Sequence, residues 1–253
     1  MGTEVARPHL HDAEVNRAAV KYAESMTTAP HYPPQRPLKP RRNLREEVAE
    51  SLRNRILSGE FKPGVRIDLV TAAEELGISQ LPVREALITL EGEGLVKSYP
   101  RRGYFVQALQ PEDILDHYEI FGKVAGMAAA RAAKTLSGEQ LKELTAINEA
   151  MRAAKDPEKK EDCNFKFHKI INGTGSSHRL MSVIRILSKT MSLHFGEIIP
   201  DWDKQAADEH DEILDALRQG DPQAARIAME NHLSVNGVRA VEALHRMNFF
   251  PEP

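Results

Sequence analysis

Three short amphipathic patterns, each closed by a glycine, precede two strand-like runs around a Pro-Arg-Arg-Gly turn. No other feature of the 253-residue sequence limits its fold so tightly. The first pattern opens at Asn43, which forms a capping box with Glu46. Leu44, Val48, Leu52, Ile56 and Leu57 then recur on one face, and the pattern stops at Gly59. After the Lys62-Pro63-Gly64 turn, a second helix is predicted over Val70–Leu76, closed by Gly77. Ser79 stands where it can cap a third, with Pro82 in the first turn, where a missing N–H does no harm. That helix buries Val83, Leu87 and Leu90 and ends near Gly94. The stretches Leu95–Tyr99 and Tyr104–Ala108 flank Pro100-Arg101-Arg102-Gly103, a hairpin turn. Three helices and a β-hairpin between residues 43 and 108 predict a winged helix-turn-helix.

On either side the chain changes character. Residues 1–42 read as a flexible extension, because five prolines with basic residues between them, from Pro30 to Arg42, pack nothing. It is either a disordered tail or a basic arm touching phosphates. From Pro111 onward every stretch reads helical, over 111–135, 137–154, 158–172, 177–198, 203–219 and 222–247. Ser137 and Gln140 form a further capping box, and Gly220-Asp221-Pro222 is the last break. The expected fold is therefore mainly α: a winged helix over 43–108 and an all-α bundle over 109–253 that binds an effector and dimerises.

Charge divides the same way. Residues 36–108 carry 13 Lys and Arg against 10 Asp and Glu, whereas residues 109–253 carry 18 against 23. A mildly basic segment beside an acidic one fits a nucleic-acid reader fused to something that is not one. No apolar run reaches the roughly 20 residues of a membrane span. The single cysteine, Cys163, excludes an internal disulfide. Acidic and histidine residues occupy the place where an export signal would need an apolar run, so the expected location is the cytoplasm.

In a helix-turn-helix the third helix presents its N-terminal residues to base edges, while wing and helix ends hold phosphates. Here those residues are Ser79, Gln80, Leu81, Val83 and Arg84. Arg84 can fork onto guanine O6 and N7 or onto a phosphate, and Gln80 can read adenine. Arg101 and Arg102 occupy the hairpin tip, with Gly103 permitting the tight turn. In the helical half, His168 lies four residues after Asn164 on one helix face. His210 shares a stripe with Ile213, Leu214 and Leu217, and His232 one with Ala225, Ala228 and Met229. Three inward imidazoles and an amide oxygen can bind a divalent metal, although an inward histidine is more often simply part of a core.

The runs Leu-Arg-Asn-Arg-Ile-Leu-Ser-Gly-Glu-Phe-Lys-Pro-Gly from Leu52, Pro-Val-Arg-Glu-Ala-Leu from Pro82, Leu-Glu-Gly-Glu-Gly-Leu-Val from Leu90 and Pro-Arg-Arg-Gly-Tyr-Phe-Val from Pro100 resemble the GntR family's DNA-binding domain. One departure is Gln80, where the family commonly has an arginine that contacts DNA. Asn-Phe-Lys-Phe-His at 164–168, Glu-His-Asp-Glu-Ile-Leu-Asp-Ala-Leu at 209–217 and Asn-His-Leu at 231–233 resemble the FCD effector domain of the FadR branch. Six expected helices rather than seven place it nearer the VanR-like subgroup.

That resemblance implies a homodimeric, cytoplasmic transcription regulator, not an enzyme. Its metal, Zn or Ni, would be held by His168, His210 and His232, with Asn164 where relatives have aspartate. It also implies a small organic acid effector completing the coordination. Phe121 and Ala125 depart from the family, standing where arginine and glutamate are common, so no arginine clamp is carried over. Tyr118, Arg185 and His194 are candidates for lining the effector pocket. Two rivals remain: a sensor of the metal itself, or a metal-dependent enzyme fused to a DNA reader. No HExxH motif, nucleophile elbow or phosphate loop supports the second.

Overall fold

The computed structural model describes residues 44–191 and 202–250. Asn43, His194 and the extension 1–42 lie outside the described residues. Helix α1 (Leu44–Leu57) turns Val48, Ala49, Leu52, Ile56 and Leu57 inward, while Leu44, expected on that face, is 39% exposed at the first turn. A two-residue strand β1 (Arg66–Ile67) follows, unforeseen in the sequence because two residues are too short for any alternation to show. Helix α2 (Leu69–Glu75) is capped by Asp68, whose carboxylate accepts from the Val70 and Thr71 amides.

Helix α3 (Gln80–Gly92) starts after Ser79, which has the extended backbone of an N-cap but makes no side-chain cap bond. Strands β2 (Val96–Tyr99) and β3 (Gly103–Val106) complete an antiparallel sheet of order β1-β3-β2, with Arg66 opposite Phe105 and Tyr99 opposite Gly103. The buried Arg53 guanidinium forks onto Glu93 at 2.7 and 2.8 Å, tying α1 to the end of α3.

The rest is helical: α4 (Pro111–Thr135), α5 (Gly138–Ala153), α6 (Pro157–Gly175), α7 (His178–Thr190), α8 (Trp202–Arg218) and α9 (Pro222–Arg246). The Ser137–Gln140 capping box forms in both directions. The helix expected over 177–198 is described as far as Thr190. Helices α4 and α9 run against each other along most of their length through small residues: a Cβ on Gly122 would sit 3.2 Å from the Glu230 carbonyl oxygen, and one on Gly237 2.7 Å from Tyr118 Cβ.

The hydrophobic core of the winged helix does not end with it. Leu52, Leu87 and Leu90 belong to one buried cluster with Ile114 and Tyr118 of α4, Met191, and Ala240 and Leu244 of α9. A second cluster around Phe167, Ile171, Ile213 and Leu214 fills the bundle.

Helix α6, which carries Asn164 and His168, is set by its last residue. A Cβ on Gly175 would lie 1.9 Å from the Ala128 carbonyl oxygen of α4, with no flexible side chain to yield. Gly175→Ala is expected to cost about 3 kcal/mol or more, since backbone must move to admit it. Its thermal midpoint should fall by roughly 6–12 °C. An unchanged melt would show that α6 is not held there.

Candidate functional site

The described histidines at 168, 210 and 232 converge from α6, α8 and α9, with ligand atoms all within 4.8 Å of one another. His210 and His232 are fully or almost fully buried. Each has one ring nitrogen committed to an outer partner, which fixes the other. His210 Nδ1 lies 3.1 Å from Asn148 Oδ1, an acceptor, so Nδ1 carries the proton and donates. Asn148 is oriented in turn, its amide donating to the Ala207 carbonyl at 2.9 Å and to Asp211 at 2.8 Å. His232 Nδ1 donates to Glu209 at 2.8 Å, and Glu209 also takes Arg239 at 2.7 Å. Burial works against Glu209's charge, but these two partners hold its carboxyl below the usual carboxylate range.

Two atoms on the inner side have no such partner. His210 Nε2 is buried without a hydrogen-bond partner, and so is Asn164 Oδ1. His232 Nε2 and His168 Nε2 lie 3.2 Å apart, and the Asn236 amide nitrogen lies 3.4 Å from His232 Nε2. Orphaned buried acceptors are costly unless something electropositive sits among them. Three imidazole nitrogens this close together fit a divalent transition metal, and the carboxylate and amide behind the imidazoles are the outer partners such ligands use. Face-to-face packing of the His210 ring on Phe167, 3.9 Å between centroids and 9° apart, locks its orientation.

Burial, aided by the charge of neighbouring His232, pushes His168 down to about 3. Burial first, then neighbouring charges, puts His210 well below 6.5. On α4, burial takes His117 to about 4. The folded protein thus keeps these rings neutral, while the unfolded chain protonates them near 6.5. Stability of the metal-free protein is complete above that pH and is lost as pH falls toward 3–4. Melting at pH 5.5 should therefore come below melting at pH 7.5. Equal midpoints would contradict neutral burial.

A cavity of about 690 Å³ opens beside the imidazoles. Asn164, His168, His232 and Asn236 form one end, and α4 and α7 supply Tyr118, Phe121, Ile184 and Arg185. Of the expected lining residues, Tyr118 and Arg185 are there, whereas His194 lies outside the described residues. Phe121 gives the wall an apolar ring, while Ala125 is buried in the bundle core. The outer partners Asn148, Glu209 and Arg239 were not foreseen. Glu209 adjoins His210 in the sequence but serves His232, because one residue turns a helix by about 100°.

On the winged helix, Ser79, Gln80, Leu81 and Arg84 are exposed, Leu81 at 64%. Val83, expected among the DNA-contacting residues, is corrected: it is fully buried, at the angle of α3 that faces Leu87 and Leu90, and cannot reach a base. Ile88, 55% exposed one turn beyond Arg84, shares the outward stripe and was not foreseen. Arg84 makes no ion pair among the described residues, so Glu85 and Glu91 do not hold it; Glu91 instead accepts the Ser98 amide. The hairpin tip has Pro100 then Arg101 at φ +63°, closed by an Arg102 N–H to Tyr99 carbonyl bond, as in a type II turn. Gly103, at φ +95°, takes the second left-handed position. Arg101 and Arg102 are exposed, Arg102 lying 5.8 and 5.5 Å from the Tyr99 and Phe105 ring centres. Arg53 and Arg55, by contrast, are consumed in internal ion pairs.

Residues 44–106 match the family of bacterial regulatory proteins, gntR family, and residues 116–235 match the FCD domain. The chain is 28% identical over 184 residues to an uncharacterized HTH-type transcriptional regulator of Mycobacterium tuberculosis, covering 73% of this chain and 75% of that one. It is 26% identical over 192 residues to the uncharacterized HTH-type transcriptional regulator YdhC of Bacillus subtilis, covering 72% and 85%. The solved structure of Escherichia coli McbR/YncC has a TM-score of 0.61 over 81% of this chain and 98% of that one, at 23% identity, a likeness of fold.

Proposed function

We propose, from the premise that this chain is a GntR-family transcriptional regulator with a C-terminal FCD domain, that it grips operator DNA as a homodimer and releases or tightens that grip when an organic acid enters the bundle. It is a regulator rather than an enzyme, as its relatives are. One observation carries the proposal: Tyr118 and Met191, which line the cavity, are packed into the same hydrophobic cluster as the winged-helix core. A ligand that shifts either side chain acts directly on the packing beneath α3. The change in DNA affinity is bounded by the ligand's differential affinity for the two arrangements.

Ser79, Gln80, Leu81 and Arg84 would read the major groove, with Arg101, Arg102 and Gly103 at the adjoining backbone or minor groove. Exposed Leu81 and Ile88 suit thymine methyl groups. His168, His210, His232 and Asn164 would hold the metal, Zn or Ni, with Asn148 and Glu209 fixing the ring tautomers. When bound, the ion supplies a Lewis-acid anchor for a carboxylate. Exposed apolar Ile120 and Met127 on α4, and Ile227 and Val238 on α9, support association of two copies. No described helix is long and apolar enough to cross a membrane, and a cytoplasmic location fits a DNA reader.

The cavity beside the imidazoles favours an organic effector over a sensor of metal alone, which needs no such space. A genomic fragment from beside the protein's own gene should be retarded in a mobility-shift titration, with the midpoint moved by organic acids on the metal-loaded protein. No preference over random DNA would refute the regulator reading. A midpoint that follows metal alone would favour the metal-sensor alternative.

A further inference from the structure

Asn172 is 6% exposed, and its Oδ1 is buried with no hydrogen-bond donor reaching it. It lines the cavity, and it stands four and eight residues beyond His168 and Asn164 on α6, so all three side chains leave one helix face. Four residues of helix rise about 6 Å, which places a second acceptor that distance along the axis from the imidazole end. A buried amide oxygen left bare costs as much as a broken hydrogen bond, so it asks for a donor from whatever occupies the space. The space itself is large. At about 690 Å³ it has room for roughly 20 waters and falls within the range of sites for drug-sized ligands. Tyr118, Phe121, Met181, Ile184, Leu187 and Met191 make most of its lining from α4 and α7 apolar, while Glu158, Glu161, Asp162 and Lys169 line it from α6 and Arg185 from α7. A succinate-sized acid would leave most of this surface wet.

We infer that the effector is a bulky amphipathic acid, its carboxylate at the Asn164–His168–His232 end and its apolar body along α4 and α7. A hydroxyl or amine about two-thirds of a nanometre from the head donates to Asn172. Without such a donor, Asn172 disfavours a wholly apolar body, so Asn172 is a specificity-determining residue. The inference rests on the organic-acid reading and narrows it.

The test is calorimetric titration of the full, zinc-loaded protein with straight-chain acids from acetate to decanoate, then 5-hydroxydecanoate, succinate and citrate. Affinity should rise about fourfold per methylene until the cavity is filled. The hydroxyl should add about tenfold. Asn172→Leu should erase the preference for 5-hydroxydecanoate over decanoate. Met181→Trp, which fills the apolar end without touching the amide, should weaken decanoate while acetate is unaffected. A series flat with chain length, or tightest binding by succinate or citrate, overturns the inference and leaves the organic-acid reading standing. An N172L protein that keeps the hydroxyl preference overturns the role of Asn172. If no acid of either kind binds or alters operator retention, the organic-acid reading itself fails, and this inference with it.

Discussion

Arg84→Ala is expected to abolish specific operator recognition while leaving the fold intact. The guanidinium is exposed on the first turns of α3 and makes no ion pair among the described residues, so its loss removes no internal contact. A bidentate contact to a base is worth ~1–3 kcal/mol of discrimination. A dimer on a two-fold operator would engage it twice, so on the proposed reading the specific affinity should fall by roughly 30-fold to 10⁴-fold. Non-specific affinity, set by phosphate contacts, should fall far less. Fluorescence anisotropy at one fixed salt concentration, with operator and scrambled duplexes, reads both. Replacing Arg101 or Arg102 should act differently, weakening all sequences alike and flattening the salt slope by about one per contact. An R84A protein that still prefers its operator would remove α3 from the recognition role.

The second large effect belongs to His210→Ala. This ring offers the buried, unsatisfied Nε2 at the centre of the cluster, and it is held on both sides by Asn148 and Phe167. Four-ligand structural zinc sites are worth ~10–16 kcal/mol, so one ligand in four accounts for about 3–4 kcal/mol, or roughly 100- to 1000-fold in metal affinity. Metal at 100 times its dissociation constant should stabilise the native protein by ~2.7 kcal/mol, and H210A should lose that thermal shift at the same metal concentration. Competition with a chromophoric chelator measures the affinity directly. The variant will also melt lower without metal, because the stacked ring and its bond to Asn148 are gone. The metal-dependent increment separates the two causes. An increment that survives the substitution would rule out His210 as a ligand.

What the sequence made visible follows from how far each feature depends on local pattern. Helix positions in the bundle were legible because apolar spacing, the Ser137–Gln140 box and the Gly220-Asp221-Pro222 break act within a few residues. The Asn164–His168 pair was legible because four residues return to the same face of one helix. Inwardness of His210 and His232 was legible from the apolar neighbours one and two turns away. The Glu209–His232 bond was not, since it joins two helices whose rotation about their axes no single pattern fixes. Neither was the cavity, whose walls come from α4, α6, α7, α8 and α9 and exist only once those helices are packed. Val83 was misassigned for a plainer reason: it was grouped with the first residues of the recognition helix, although its spacing from Leu87 and Leu90 already put it on the core-facing stripe.

The buried cluster that runs from Leu52 and Leu87 through Tyr118 and Met191 to Leu244 has an evolutionary corollary. Reader and sensor here are not interchangeable cartridges. A recombination event that joined residues 44–108 to a sensor from another lineage would meet a mismatched wall at Ile114, Tyr118 and Ala240. Such hybrids should melt below the parent unless that wall is repaired at the same time.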